Sequence, residues 1–242
     1  MIRRFIPQFA LHLRQRLLRY VRYHVRRRDV RYARETGHCG TPRMELRQTI
    51  RRTNGFAAKT HNLRLAGRHV STRIIGPGET FSFWRTIGAP TTKRGYRAGR
   101  NLVRGELVMS PGGGLCQLSG LLYHLGLRAG LEVIERHAHS VDIYTEETRY
   151  TPLGADATVV YGYRDLLLRN PHAFPVQFRI EQTEETITTR LCAPAPLPEL
   201  APRFVRLPDT AGRRTVELHL PGRPVARSTY RIPPEGGTAT GQ

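Results

Sequence analysis

Three cysteines in 242 residues, Cys39, Cys116 and Cys192, are too few and too widely spaced to make a disulfide framework, and they fit a reducing compartment. Long apolar runs are missing as well. In the basic N-terminal segment the longest arginine-free apolar stretch, Phe5–Leu13, falls far short of the roughly 20 residues a spanning helix needs, and the overall composition excludes a multi-span membrane protein. No repeat of solenoid or propeller length is present, and no collagen or coiled-coil period. Lysine is nearly absent, with Lys59 and Lys93 standing beside 37 arginines. Acids are scarce too, 19 against 39 basic residues, for a formal charge of +20.

What is present is enough for a core. The hydrophobic share is 39%, near the globular average once glycine is added, which argues against wholesale disorder. The charge is uneven: residues 1–52 carry +12 and the other 190 residues only +8. In the first segment Phe9, Leu13, Leu17, Val21 and Val25 recur every four residues, with Leu18 adjoining. Arg14, Arg16, Arg19, Arg22 and Arg26 fill much of the rest. This pattern predicts a basic amphipathic helix beginning after Pro7. Such a helix can pack on the domain, adsorb through residues 1–35 to an anionic membrane surface, or bind nucleic acid. The last use is the least supported, because no stacking platform or base-reading motif accompanies the arginines. Pro7 and Gln8 interrupt the only candidate signal sequence, and Arg3-Arg4 lacks the apolar run of an export signal. The expected location is therefore the cytoplasm, or the periphery of the inner membrane surface.

Further along, residues 42–66 carry a helical pattern through Met44, Leu46, Ile50, Phe56 and Leu63. Val70–Ile75 and Leu102–Val108 read as strands. Phe81, Phe83 and Trp84 belong in the core, and Thr91–Gly99 is loop-like. Ser110-Pro111-Gly112-Gly113-Gly114 is the strongest punctuation in the chain. It opens an apolar helix through Leu115, Leu118, Leu121, Leu122 and Leu125, which Gly130 ends. From Leu131 the period becomes two, with Leu131, Val133, Val141 and Ile143 on one strand face. Ala157–Tyr163, Phe174–Glu181 and Thr186–Cys192 continue as strands. A helix followed by an antiparallel run predicts the α+β class, with a basic helical extension in front. The expected division is an extension over 1–40, an α+β domain over 41–193, and a proline-rich linker with a partly disordered tail over 194–242. That tail keeps strand-like pieces at Thr215–Leu220 and Ser228–Ile232.

Cys116 falls in the first turn of the apolar helix, behind three glycines. A helix start offers unpaired N–H groups and partial positive charge, which favour thiolate over thiol. The same amides, at Gly112, Gly113 and Gly114, can cradle an oxyanion. Free cysteine is also among the most buried residue types, so a packing role stands beside the chemical one. His137 and His139 share the apolar strand face and are expected to point inward. Asp156 stands where the next strand begins. A nucleophilic cysteine, then a histidine, then an aspartate on successive elements is the order used by transglutaminase-like cysteine enzymes. In that logic His139 is the base, with His137 the alternate, and Asp156 orients it; no cofactor is needed. The rival use is zinc, with Cys116, His137 and His139 as three ligands and an open fourth position, although no C-x-x-C or H-E-x-x-H supports it. The glycines do not make a P-loop, because no Lys-Ser/Thr follows.

The segments FSFWRTIGAPTTKRGYRAGRNLVRGELV, PGGGLCQLSGLLYHLGLRAGLEVIERHAHSVDIY and GADATVVYGYRDLLLRN together resemble the VanW family, named from glycopeptide-resistance gene clusters. The likeness runs from about Pro77 to Asn170. Its motif positions are Gly112, Gly113, Gly114, Cys116, Gln117, Ser119, Glu135, Arg136, His137, His139 and Ser140. The resemblance implies an accessory role at the bacterial cell envelope, with resistance to vancomycin-type antibiotics, and it implies no catalytic assignment. Gln117, Ser119, Glu135, Arg136 and Ser140 join the glycines as candidate ligand contacts. Three functions are then open. They are a cysteine-dependent acyl-transfer or amide-hydrolysing enzyme on a peptidoglycan-related peptide, a non-catalytic module binding an envelope precursor, and a zinc hydrolase.

Overall fold

In a computed structural model the protein is described over residues 30–52, 54–103, 106–142, 149 and 151–232, with residues 13, 14, 17, 18 and 21 besides. The predicted basic helix and the tail after residue 232 fall almost wholly outside the described residues. In chain order the elements are β1 Thr41–Thr49, α1 Phe56–Ser71, β2 Ile74–Ile75, β3 Thr80–Ser82 and α2 Phe83–Ile87. A 3-10 turn, Thr92–Arg94, precedes β4 Ala98–Val103, β5 Glu106–Pro111 and α3 Leu115–Arg128. Then come β6 Glu132–Glu135, β7 Leu167–Arg169, β8 Val176–Gln182, β9 Thr186–Ala193, β10 Arg203–Arg206, β11 Arg213–His219 and β12 Ala226–Arg231. Helices and antiparallel sheets are mixed along the chain, which makes it α+β as expected.

The largest sheet runs β1-β9-β8-β2, a second β3-β7-β6 and a third β10-β11-β12, with β4-β5 as a hairpin. All strand pairs within them are antiparallel. The helix α3 is the centre of the core. Ten of its residues, from Leu115 to Leu127, are buried, and Leu118, Leu121, Leu122 and Leu125 have no exposed surface. A helix apolar on nearly every side can only be stable when covered all round. α1 covers one side with Leu63, Ala66 and Val70, all fully buried, at the spacing of one helical stripe.

Several expected elements come out differently, for physical reasons. The helical pattern over 42–66 divides into β1 and α1. Met44, Gln48 and Ile50 are buried while Glu45, Arg47 and Thr49 are exposed, a period of two that the four-residue spacing of Met44 and Gln48 disguises. Val70 belongs to α1, and only Ile74–Ile75 remains as strand. Leu102–Val108 spans a reversal between β4 and β5 rather than one strand. The long strand from Leu131 stops at Glu135 after a bulge between Val133 and Glu135. Ala157–Tyr163 is not a strand at all. Its backbone serves other partners, with Thr158 N donating to His137 O (2.8 Å) and Val160 closing a tight turn onto Arg164. Among the described residues no helix is long and apolar enough to cross a membrane.

Candidate active site

The glycine-rich turn is fixed from below before it presents anything. Asn62 of α1 is fully buried, and its amide donates to Arg97 O (2.9 Å) and Gly113 O (3.1 Å) while accepting from Arg97 N (2.8 Å). Gly113 lies flat on β4: a Cβ there would stand 2.4 Å from the Gly99 carbonyl carbon. Gly114 has φ +95°, and a Cβ would meet Lys59 Cγ at 2.6 Å. Only glycine fits both positions. Gln117 N then bonds Gly114 O at 2.9 Å, and α3 starts with Cys116 in its first turn.

Cys116 is half-buried. Its Sγ lies 3.7 Å from Thr158 Oγ1 and 4.0 Å from Val159 O, and it interacts with the ring of His139. One turn on, the buried Ser119 hydroxyl donates to Ala157 O at 2.6 Å. That bond straps the Asp156–Thr158 segment against α3 and so sets the distance between thiol and carboxylate.

Asp156 is the hub. Its Oδ2 accepts His139 Nδ1 at 2.6 Å and His139 N at 2.8 Å. Its Oδ1 accepts Arg136 Nη2 at 2.8 Å and Tyr230 OH at 2.5 Å. Four donors fill the carboxylate's acceptor sites. Burial opposes the charge, but His139, Arg136 and Tyr230 together hold the carboxyl well below its usual range. The same balance acts on the ring: burial disfavours the imidazolium, yet Asp156 and Cys116 raise His139 to about 10. Burial would lift the Cys116 thiol, and contact with His139, Val159 and Thr158 more than reverses it, so the thiol is lowered. The three groups form one coupled set in which the charged form of each favours the charged form of its neighbour.

Arg136 braces Asp156 and the backbone before it. Its side chain is only 10% exposed, and it donates to Asp156 O (2.7 Å), Gly154 O (2.8 Å) and Ser228 Oγ. Its guanidinium also lies 5.0 Å over the Tyr123 ring. The other candidates are placed as follows. Gly112 O accepts Leu115 N. Gln117 Nε2 donates to Gln48 Oε1 (3.2 Å) and Thr49 O (3.0 Å), joining α3 to β1. Glu135 is buried and pairs with His137 Nε2 at 2.8 Å. Ser140 O accepts Arg231 N at 3.0 Å, beside a bridge from Val141 to Arg231.

Two expectations are corrected here. His137 does not share the thiol with His139: the bulge before Glu135 and the end of β6 break the strand period, and the ring turns to Glu135. The proposed zinc set of Cys116, His137 and His139 therefore does not assemble. Among the described residues no group of three His, Cys, Asp or Glu side chains could hold a metal ion. The residues missed from sequence are Tyr230, Ser228, Thr158, Asn62 and Lys59. Tyr230 lies 74 positions from Asp156, and no local pattern links them.

Comparison with known proteins agrees with the motif. Vancomycin B-type resistance protein VanW of Enterococcus faecalis (strain ATCC 700802 / V583) is 35% identical over 135 residues, covering 56% of this chain and 49% of that protein. Uncharacterized protein YoaR of Bacillus subtilis (strain 168) is 34% identical over 125 residues, 52% of this chain and 40% of that one. The chain thus spans less than half the length of either relative. No solved structure matches it. The family described as VanW like protein matches residues 58–192, a segment holding Cys116, His139 and Asp156, and the chain belongs to the VanW family.

Proposed function

We propose that this chain is a cysteine-dependent acyl-transfer or amide-hydrolysing enzyme. The observation that carries the reading is one carboxylate, Asp156, bonded at 2.6 Å to the ring of His139, whose far side interacts with a thiol at a helix start. In the reaction Cys116 Sγ attacks the acyl carbon and forms a thioester, backbone N–H groups at the start of α3 receive the oxyanion, and His139 hands its proton to the departing amine as the C–N bond breaks. Water or a second amine then attacks the thioester carbonyl, His139 takes the incoming proton, and Sγ leaves as thiolate. Asp156 keeps the ring oriented and stays ionised throughout.

The resistance role in the Enterococcus relative's name supports a substrate in the cell envelope, a peptidoglycan-related peptide, with this chain acting there as an accessory protein. The test is alkylation of the full chain with iodoacetamide. Cys39 and Cys192 are buried and burial raises both thiols, so Cys116 should label first and should still label at about pH 6, where an ordinary thiol is under roughly 1% thiolate. An inert Cys116 would leave the non-catalytic binding module in its place. That rival also expects Cys116→Ala to keep the cellular phenotype, which the enzyme reading says is lost.

A further inference from the structure

The first and last cysteines lie together on the side of the largest sheet that faces away from the core. In β8 Val176 and Phe178 belong to the core, so Gln177 between them points the other way, and its neighbour across β9 is Cys192. An outer-face residue would be wet if nothing covered it, yet Cys192 has no exposed surface. The chain just before β1 supplies the cover. Gln177 Nε2 donates to Gly37 O at 2.6 Å, and Gln177 Oε1 accepts Cys39 N at 2.9 Å. Gly40 then rests on Ala193 so closely that a Cβ would stand 2.1 Å from the Ala193 carbonyl carbon. A disulfide asks for adjoining backbones, and each cysteine is one residue before the two that touch. The Cys39 thiol donates to Pro175 O at 3.3 Å, on the same strand as Gln177 or just before it. Both cysteines are buried but lie outside the continuous apolar core. Burial raises both thiols, Cys192 adds to the rise at Cys39, and Arg179 opposes it at both.

From these contacts we infer that Cys39 and Cys192 are a disulfide site, closed by a small-molecule disulfide oxidant. One thiol loses its proton and attacks the oxidant's S–S bond, giving a mixed disulfide and releasing one reduced thiol. The second thiolate attacks the protein sulfur of that mixed disulfide, the protein S–S bond forms, and a second reduced thiol departs. Two protons and two electrons pass from the cysteines to the oxidant. The Arg179 guanidinium favours the thiolate that each step needs. Cys192 is the last residue of the family segment, and Cys39 lies before its start at residue 58. The bond therefore staples the approach from the basic N-terminal stretch to the end of the family segment. With three cysteines in the chain, Cys116 is left as the free thiol, and the staple does not depend on the chemistry proposed for it.

The test equilibrates the full chain at about pH 8 with glutathione, the reduced form in roughly tenfold excess over the oxidised. Equilibrium is approached both from the reduced native chain and from chain refolded out of guanidinium chloride, so slow exchange of buried thiols does not hide the bond. Non-reducing digestion and mass spectrometry should find Cys39 and Cys192 in one linked peptide, in more than about half of the chains from at least one start, with Cys116 unpaired. A smaller fraction from both starts overturns the site. So does a bond from either cysteine to Cys116 or to a second chain in its place. The linked chain should also unfold about 5 °C or more above the reduced chain, because closing a long loop narrows the unfolded ensemble. No gain would mean that the bond distorts the native contacts, and that result also overturns the site. Cys39→Ser and Cys192→Ser should gain nothing from the same buffer; an equal gain in either variant would trace to glutathione and count against the staple.

Discussion

His137 and His139 stand two residues apart, each against a carboxylate, and the two arrangements have different uses. His139 bonds Asp156, which Arg136 and Tyr230 hold ionised, and the ring interacts on its other side with the Cys116 thiol. His137 bonds Glu135. The same Glu135 oxygen accepts Asp165 N at 3.0 Å, and Asp165 in turn takes Ser82 Oγ at 2.6 Å and Trp84 N at 3.1 Å. That second network ties β6 to the start of α2, and among the described residues no thiol or hydroxyl is bonded to the His137 ring. A carboxylate–imidazole pair becomes catalytic equipment when the ring also faces a group with a proton to give up.

The widest break in this comparison comes from removing each ring. His139→Ala deprives Cys116 of its counter-charge and should slow alkylation at about pH 6 roughly 100-fold, the scale of a lost acid–base partner. His137→Ala should leave the alkylation rate within about twofold and lower stability instead, by about 1 kcal/mol for a lost hydrogen bond. Parallel alkylation and denaturant titrations separate the two. Equal losses of reactivity in both variants would erase the distinction.

A smaller effect is expected at the carboxylate. Asp156→Asn keeps the shape and removes the charge that raises His139, so the imidazolium weakens and the Cys116 thiol moves back up. The alkylation profile should shift to higher pH, with roughly a tenfold loss at about pH 6 that alkaline conditions restore. A uniform loss at every pH would indicate misplacement of the ring rather than altered ionisation.

Legibility followed the range of the interactions. Cys116 behind its glycines, His139 and Asp156 could be read because each lies next to a local signal: a turn cluster, a change of period, the start of a new segment. The apolar α3 was equally plain, since ten buried residues in one helix leave a dense pattern. The strand division over 42–66 was not, because Met44 and Gln48 suit a four-residue and a two-residue period alike. The Arg136–Tyr230 brace was hidden for another reason: it is built between a loop and the β10-β11-β12 sheet, beyond the matched segment, and a contact across 94 positions leaves no periodic trace. His137 misled because a bulge resets the face of a strand without changing its composition.

The finest test separates the brace from the pair it supports. Tyr230→Phe removes one of the two donors on Asp156 Oδ1 and leaves the ring's bond to Oδ2 untouched. Alkylation should change by only about two- to threefold, while stability near neutrality should fall by about 1–2 kcal/mol, as for a hydrogen bond to a charged group. The pH dependence gives the sign. Asp156 has its pKa lowered on folding, so its contribution is present above its unfolded value of about 3.9 and is lost as the pH falls through the folded value. His139 has its pKa raised to about 10; its contribution is full below its unfolded value of about 6.5 and is lost as the pH rises through about 10. The gap between Tyr230→Phe and the unaltered chain should therefore be widest from about pH 5 to 7 and should close on strong acidification, when Asp156 is protonated in both. Unfolding midpoints measured across that range check it, and a gap independent of pH would mean that Tyr230 contributes packing alone.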